Sequence, residues 1–107
     1  MNKLNKTEKM IIKKFILTPI PQYVFNYCDE SFDLLDCYEI AFTYANAILR
    51  RGKIKQEHSP WGDGNSVIFD ERYSQLLIEI RNSNLSDEIN EYCQLFLSII
   101  KIFQVHF

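Results

Sequence analysis

Apolar residues recur every three or four positions along most of this 107-residue chain, a spacing that predicts helix rather than strand. In the first such stretch, Lys3–Leu17, residues Leu4, Ile11 and Phe15 share a face, with Ile12 and Ile16 beside them. Lys3, Lys6, Lys9, Lys13 and Lys14 occupy much of the remaining surface. Thr7 with Glu8–Met10 offers a start signal, and an earlier start is left open. Pro19 and Pro21 end the stretch, because proline lacks an N–H and disfavours helix in the residue before it. Pro21 can also open a short helical turn through Tyr23–Tyr27.

The second stretch carries the fullest helical pattern. Asp29 or Ser31 is the expected cap, and the helix runs to Arg51, where Gly52 supplies the C-terminal signal. Leu34, Leu35, Tyr38, Ala41, Phe42, Ala45, Ile48 and Leu49 form its apolar face. Acids gather at its start and Arg50 and Arg51 at its end, the polarity that the helix dipole favours. Lys53–Asn65 then breaks the periodicity with Pro60, Gly62 and Gly64, a turn-rich loop. Its flanks, Lys53–Gln56 and Ser66–Phe69, leave room for a minor β-hairpin around residues 53–69.

A third helix is expected at about Asp70–Asn82, with Tyr73, Leu76, Leu77 and Ile80 facing inward. Asn82–Asn84 is a turn, and Ser86 caps a last helix whose first turn holds Asp87 and Glu88. Ile89, Tyr92, Cys93, Phe96, Ile99, Ile100 and Phe103 cover that helix on nearly all sides, which places it at the centre of a bundle. The expected fold is therefore all-α: a compact bundle of four to five helices forming one domain over residues 1–107.

Composition narrows the class. The apolar fraction is 47% and the charged fraction 24%, a globular balance, and only three Gly and three Pro occur, too few for a turn-dense β fold. Cys28, Cys37 and Cys93 make an odd count without a C-x-x-C and sit among apolar neighbours, so they read as reduced, buried thiols of a cytoplasmic protein. Met10–Leu17, interrupted by Lys13 and Lys14, is no secretory signal, and Tyr92–Val105 is too short and too polar to span a bilayer. Metal, nucleotide and hydrolase motifs are missing, and His58 and His106 lack partners at metal-ligand spacing. A nucleophilic pair of His58 with one of the cysteines has no specific support. The chain is expected not to be an enzyme, and to need no cofactor or metal.

Charge is laid out in blocks. Residues 1–14 carry five lysines against Glu8, and residues 15–49 hold Asp29, Glu30, Asp33, Asp36 and Glu39 with no Lys or Arg. Asp29, Asp33 and Asp36 fall at i, i+4 and i+7, the spacing of one helical face. Such a stripe serves a helix N-terminus, and it equally suits docking of a basic partner, where complementary charge speeds association. The second candidate surface is the loop His58–Gly64, in which Trp61, with Asp63 beside it, is either folded onto the core or presented as a binding anchor. The net charge of −2 speaks against a general nucleic-acid binder, leaving the N-terminal lysines as the one route to that class.

A short chain rich in Lys, Asn and Ile, with helical segments, no catalytic set and a dense acidic stretch at Asp29–Glu39, resembles small bacterial immunity proteins. These are the cytosolic inhibitors paired with contact-dependent growth-inhibition toxins and nuclease bacteriocins. The resemblance is one of role, since such families share no fold. It implies a protein that covers the basic active site or substrate groove of a cognate toxin domain with Asp29, Glu30, Asp33, Asp36 and Glu39. The expected partner is a protein; the charge balance and the lack of a spanning stretch argue against a nucleic-acid or membrane ligand, and the unbound chain is expected to be a monomer or homodimer. The competing class is a helical adaptor, secretion chaperone or self-associating module. It is suggested by the terminal Ile102, Phe103, Val105 and Phe107, more apolar surface than one small core readily buries.

Overall fold

Helix α1, Lys6–Leu17, starts where Asn5 and Glu8 satisfy each other's backbone. The Glu8 N–H donates to Asn5 Oδ1 at 2.8 Å and the Asn5 N–H donates to Glu8 Oε1 at 2.9 Å, a reciprocal capping box. The cap is thus Asn5, two residues before the Thr7 signal, because only Asn5 has an acid three positions on. The helix ends at Thr18, whose hydroxyl donates to the Lys14 carbonyl at 2.6 Å just before the two prolines. In this computed structural model residues 4–30, 32–51 and 71–106 are described, the backbone alone for 29, 30, 32 and 33.

Four more helices follow: α2 (Gln22–Glu30), α3 (Phe32–Arg51), α4 (Glu71–Asn82) and α5 (Asp87–His106). The all-α expectation holds for the described residues, which contain five helices and no strand. Both the hairpin considered for residues 53–69 and Gly52 lie outside the described residues. The short turn expected after Pro21 is a full helix, opened by the Phe25 N–H donating to the Pro21 carbonyl at 2.9 Å.

Asp29 does not cap the long helix. It belongs to α2, and α3 begins only at Phe32. The buried side chains explain the break: Val24 and Cys28 share one face of α2, and the buried set resumes at Leu34, Cys37 and Ala41. At roughly 100° per residue, the step from Cys28 to Leu34 shifts the apolar face by about 120°. One straight helix cannot bury both sets against the same neighbours.

The turn between α4 and α5 follows local rules. Asn84 adopts φ 53°, a left-handed conformation that Asn tolerates better than most residues, and its side chain accepts from Asn90 Nδ2 at 3.1 Å. Ser86 then caps α5 as expected, its hydroxyl accepting from the Ile89 N–H at 3.1 Å.

Helix α5 is the central element, packing against both α4 and α1. Ile89, Tyr92, Cys93, Phe96, Ile99, Ile100, Ile102 and Phe103 are all buried on it. Phe15 of α1 is fully buried and meets Phe96, Tyr38 and Tyr92 at ring-centroid distances of 5.4, 5.8 and 6.2 Å. Tyr38 pairs with Phe96 and Tyr44 with Phe103, so α3 and α5 run parallel. Helix α1 runs antiparallel to α5, since Glu8 meets His106 at one end and Phe15 meets Tyr92 nearer the other. Val105 and Leu49 remain outside the core, 68% and 40% exposed, whereas Ile102 and Phe103 are inside it.

Candidate acidic interface on helix α3

Residues Asp36, Glu39, Ile40, Thr43 and Tyr44 stand at i, i+3, i+4, i+7 and i+8, so they line one side of α3. Asp36 and Glu39 are exposed, and Ile40 and Tyr44 are half-buried against the core. Glu39, Ile40, Thr43 and Tyr44 bound an open cleft of about 320 Å³. One wall therefore carries a carboxylate, the floor is aliphatic and aromatic, and Thr43 adds a hydroxyl. Burial pushes the Tyr44 phenol up to about 12, opposed by the Arg51 charge, so the ring stays neutral at physiological pH. Its edge-on contact with Phe103, at 5.8 Å and 74°, anchors the cleft to α5.

The expected acidic residues fall into two groups. Asp29 and Glu30 are the last residues of α2, while Asp33, Asp36 and Glu39 belong to α3. The stripe read as one helical face is thus divided between two helices, α2 ending at Glu30 and α3 beginning at Phe32. Trp61 and Asp63 lie outside the described residues. The sequence reading missed Ile40, Thr43 and Tyr44 as companions of Glu39. Their signal was present: they continue the Asp36–Glu39 side at helical spacing.

Two other clefts differ in character. Leu4, Lys9, Ile12, Ile48 and Leu49 enclose about 130 Å³ between the start of α1 and the end of α3, a mainly apolar notch edged by Lys9. Ser74, Gln94, Ser98, Lys101 and Gln104, with Leu97 and Ile100, line a groove of mixed polarity of about 420 Å³ between α4 and α5, with Lys101 its one charge. Burial pushes the Cys93 thiol up to about 11, partly opposed by Arg81, which makes it a poor nucleophile at neutral pH. Cys28, Cys37 and Cys93 are buried and form no disulfide. Among the described residues no group of three or more His, Cys, Asp or Glu side chains could hold a metal ion. No described helix is long and apolar enough to cross a membrane.

Fold and surface together define an all-α helical bundle with an acid-edged cleft on one exposed helix face. Compared with known protein families, curated proteins and solved structures, the chain matches none.

Proposed function

We propose that this protein acts by binding, as an immunity-type inhibitor that covers the basic surface of a cognate bacterial toxin domain, nuclease being the leading chemistry. The observation that carries this reading is the α3 cleft, where Glu39 stands at the rim of an Ile40–Tyr44 floor one helical turn from exposed Asp36. A basic groove or a lysine- or arginine-bearing segment finds there both opposite charge and an apolar seat. That combination gives orientation and fast association together. Asp29, Glu30 and Asp33, with Trp61 and Asp63, are further candidates for the contact. Inhibition of this kind needs no cofactor and takes place in the cytoplasm of the producing cell.

The test is co-expression with the toxin domain encoded beside the gene, followed by affinity measurement on the purified pair. D36K/E39K should weaken binding by more than about tenfold, mainly through slower association. An unchanged affinity removes this face from the interface.

The second reading is a self-associating module, adaptor or secretion chaperone. It is favoured by the exposed Leu49 at the edge of the apolar notch and by Val105 near the end of α5. Sedimentation separates the two: a stable homodimer supports the module, a monomer the inhibitor.

A further inference from the structure

The outward side of α1 combines positive charge with exposed apolar side chains. At 100° per residue, Lys6, Met10, Lys13, Lys14 and Leu17 fall within an arc of about 100°. The opposite side carries Ile12 and Phe15 into the core. Met10 is 63% exposed and Leu17 70%, the highest value among the large apolar side chains described. Lys6, Lys13 and Lys14 are all exposed around them. Glu8, the single acid of α1, lies on the inward side against His106, so α1 itself places no carboxylate on the stripe.

The chemistry of the stripe selects among anionic partners. Every cation in residues 1–49 is lysine. Lysine is depleted from protein–protein interface cores, whereas arginine supplies the bidentate forks that read bases and clamp phosphates. Lysine on a long flexible stem suits a fluid, negatively charged surface, reaching headgroups while its methylenes lie along apolar matter. Two exposed apolar side chains set among lysines suit a partner that offers negative charge and apolar matter together.

We infer that the outer face of α1 docks on a bilayer containing anionic lipid, with Lys6, Lys13 and Lys14 against the headgroups and Met10 and Leu17 entering the headgroup–acyl boundary. This contact lies in the plane of the membrane surface and requires no spanning helix. It uses a different helix face from the α3 cleft and does not rest on the inhibitor reading.

The experiment is co-sedimentation of the full chain with vesicles of mixed phosphatidylglycerol and phosphatidylcholine, beside vesicles of phosphatidylcholine alone. The chain should pellet with the anionic vesicles only, and high salt should release it. K13E/K14E should lower partitioning by more than about tenfold. M10S/L17S should lower it several-fold, and D36K/E39K should not lower it. All these positions are exposed, and circular dichroism on each variant verifies that the helices are kept. No partitioning on anionic vesicles, equal partitioning on neutral ones, or full retention by K13E/K14E would each overturn the inference. So would tighter binding to a single-stranded oligonucleotide than to the anionic vesicles, which would assign the face to nucleic acid.

Discussion

His106 Nε2 lies 2.8 Å from Glu8 Oε2, so the last turn of α5 is held against the first turn of α1 across 98 sequence positions. The same carboxylate, through its other oxygen, accepts from the Asn5 N–H. One side chain therefore closes the start of the first helix and joins it to the end of the last.

This arrangement makes stability pH-dependent. Burial opposes ionisation of Glu8, but the Asn5 amide and His106 together outweigh it and hold the carboxyl below its ordinary value of 4.5. A carboxyl depressed in the folded state contributes stability that is complete above the unfolded value and lost as pH falls through the folded one. Wild-type stability should therefore fall as the pH drops below about 4.5, with Glu8 responsible for part of the slope. Glu8→Gln keeps an acceptor for Asn5 but should cost about 0.5–1 kcal/mol at neutral pH and flatten the acid limb in urea titrations. An unchanged acid limb would show that other carboxylates carry it.

Phe15 should be among the most sensitive positions in the protein. It is fully buried and meets rings from both α3 and α5. Phe15→Ala should cost about 3–5 kcal/mol, measured by chemical denaturation, and Phe15→Leu distinctly less, because Leu refills much of the cavity.

Tyr92 should behave in the opposite way. It is 2% exposed, and its hydroxyl finds no hydrogen-bond partner among the described residues. Burial accordingly drives the phenol well above its ordinary value. Tyr92→Phe removes a desolvated hydroxyl while keeping the ring against Phe15 and Phe96, so it should leave stability equal or raise it by up to about 1–2 kcal/mol. A loss of stability would reveal a hydrogen bond to that oxygen.

Asn84, at φ 53°, tests the turn between α4 and α5. Asn84→Ala should cost about 1–2 kcal/mol from the left-handed backbone, with the bond to Asn90 lost as well. Asn84→Gly relieves the backbone and should cost less. Equal effects from the two substitutions would mean that the side-chain bond, not the backbone, sets the cost.

The thiols supply a further check. Cys93 is buried, with its thiol raised to about 11, and Cys28 and Cys37 are buried as well. Under native conditions at mildly alkaline pH all three should react with a thiol reagent only as fast as the protein opens, and promptly in denaturant. Rapid labelling of any one in the folded state would show that its helix opens locally.

Much of the helical layout is written in neighbouring residues. The three- and four-residue spacing of Ile11–Phe15, Tyr73–Ile80 and Ile89–Phe103 predicts α1, α4 and α5, and the Ser86 cap and Pro19–Pro21 stop act within one turn of chain. These are i to i+3 and i+4 interactions, which a linear pattern contains in full. The acidic composition around Asp36 and Glu39 was equally legible. What lay beyond the pattern depends on burying two apolar faces at once. The sequence offers two starts for the long helix, Asp29 and Ser31, and the phase step between Cys28 and Leu34 decides for the later one, leaving Asp29 and Glu30 on α2 and apart from Asp33. The cleft beside Glu39 exists because Tyr44 leans on Phe103, and the pairing of Glu8 with His106 exists because α1 lies antiparallel to α5. Contacts between residues so far apart in the chain come from helices packing their apolar sides together, so the tertiary structure alone decided them.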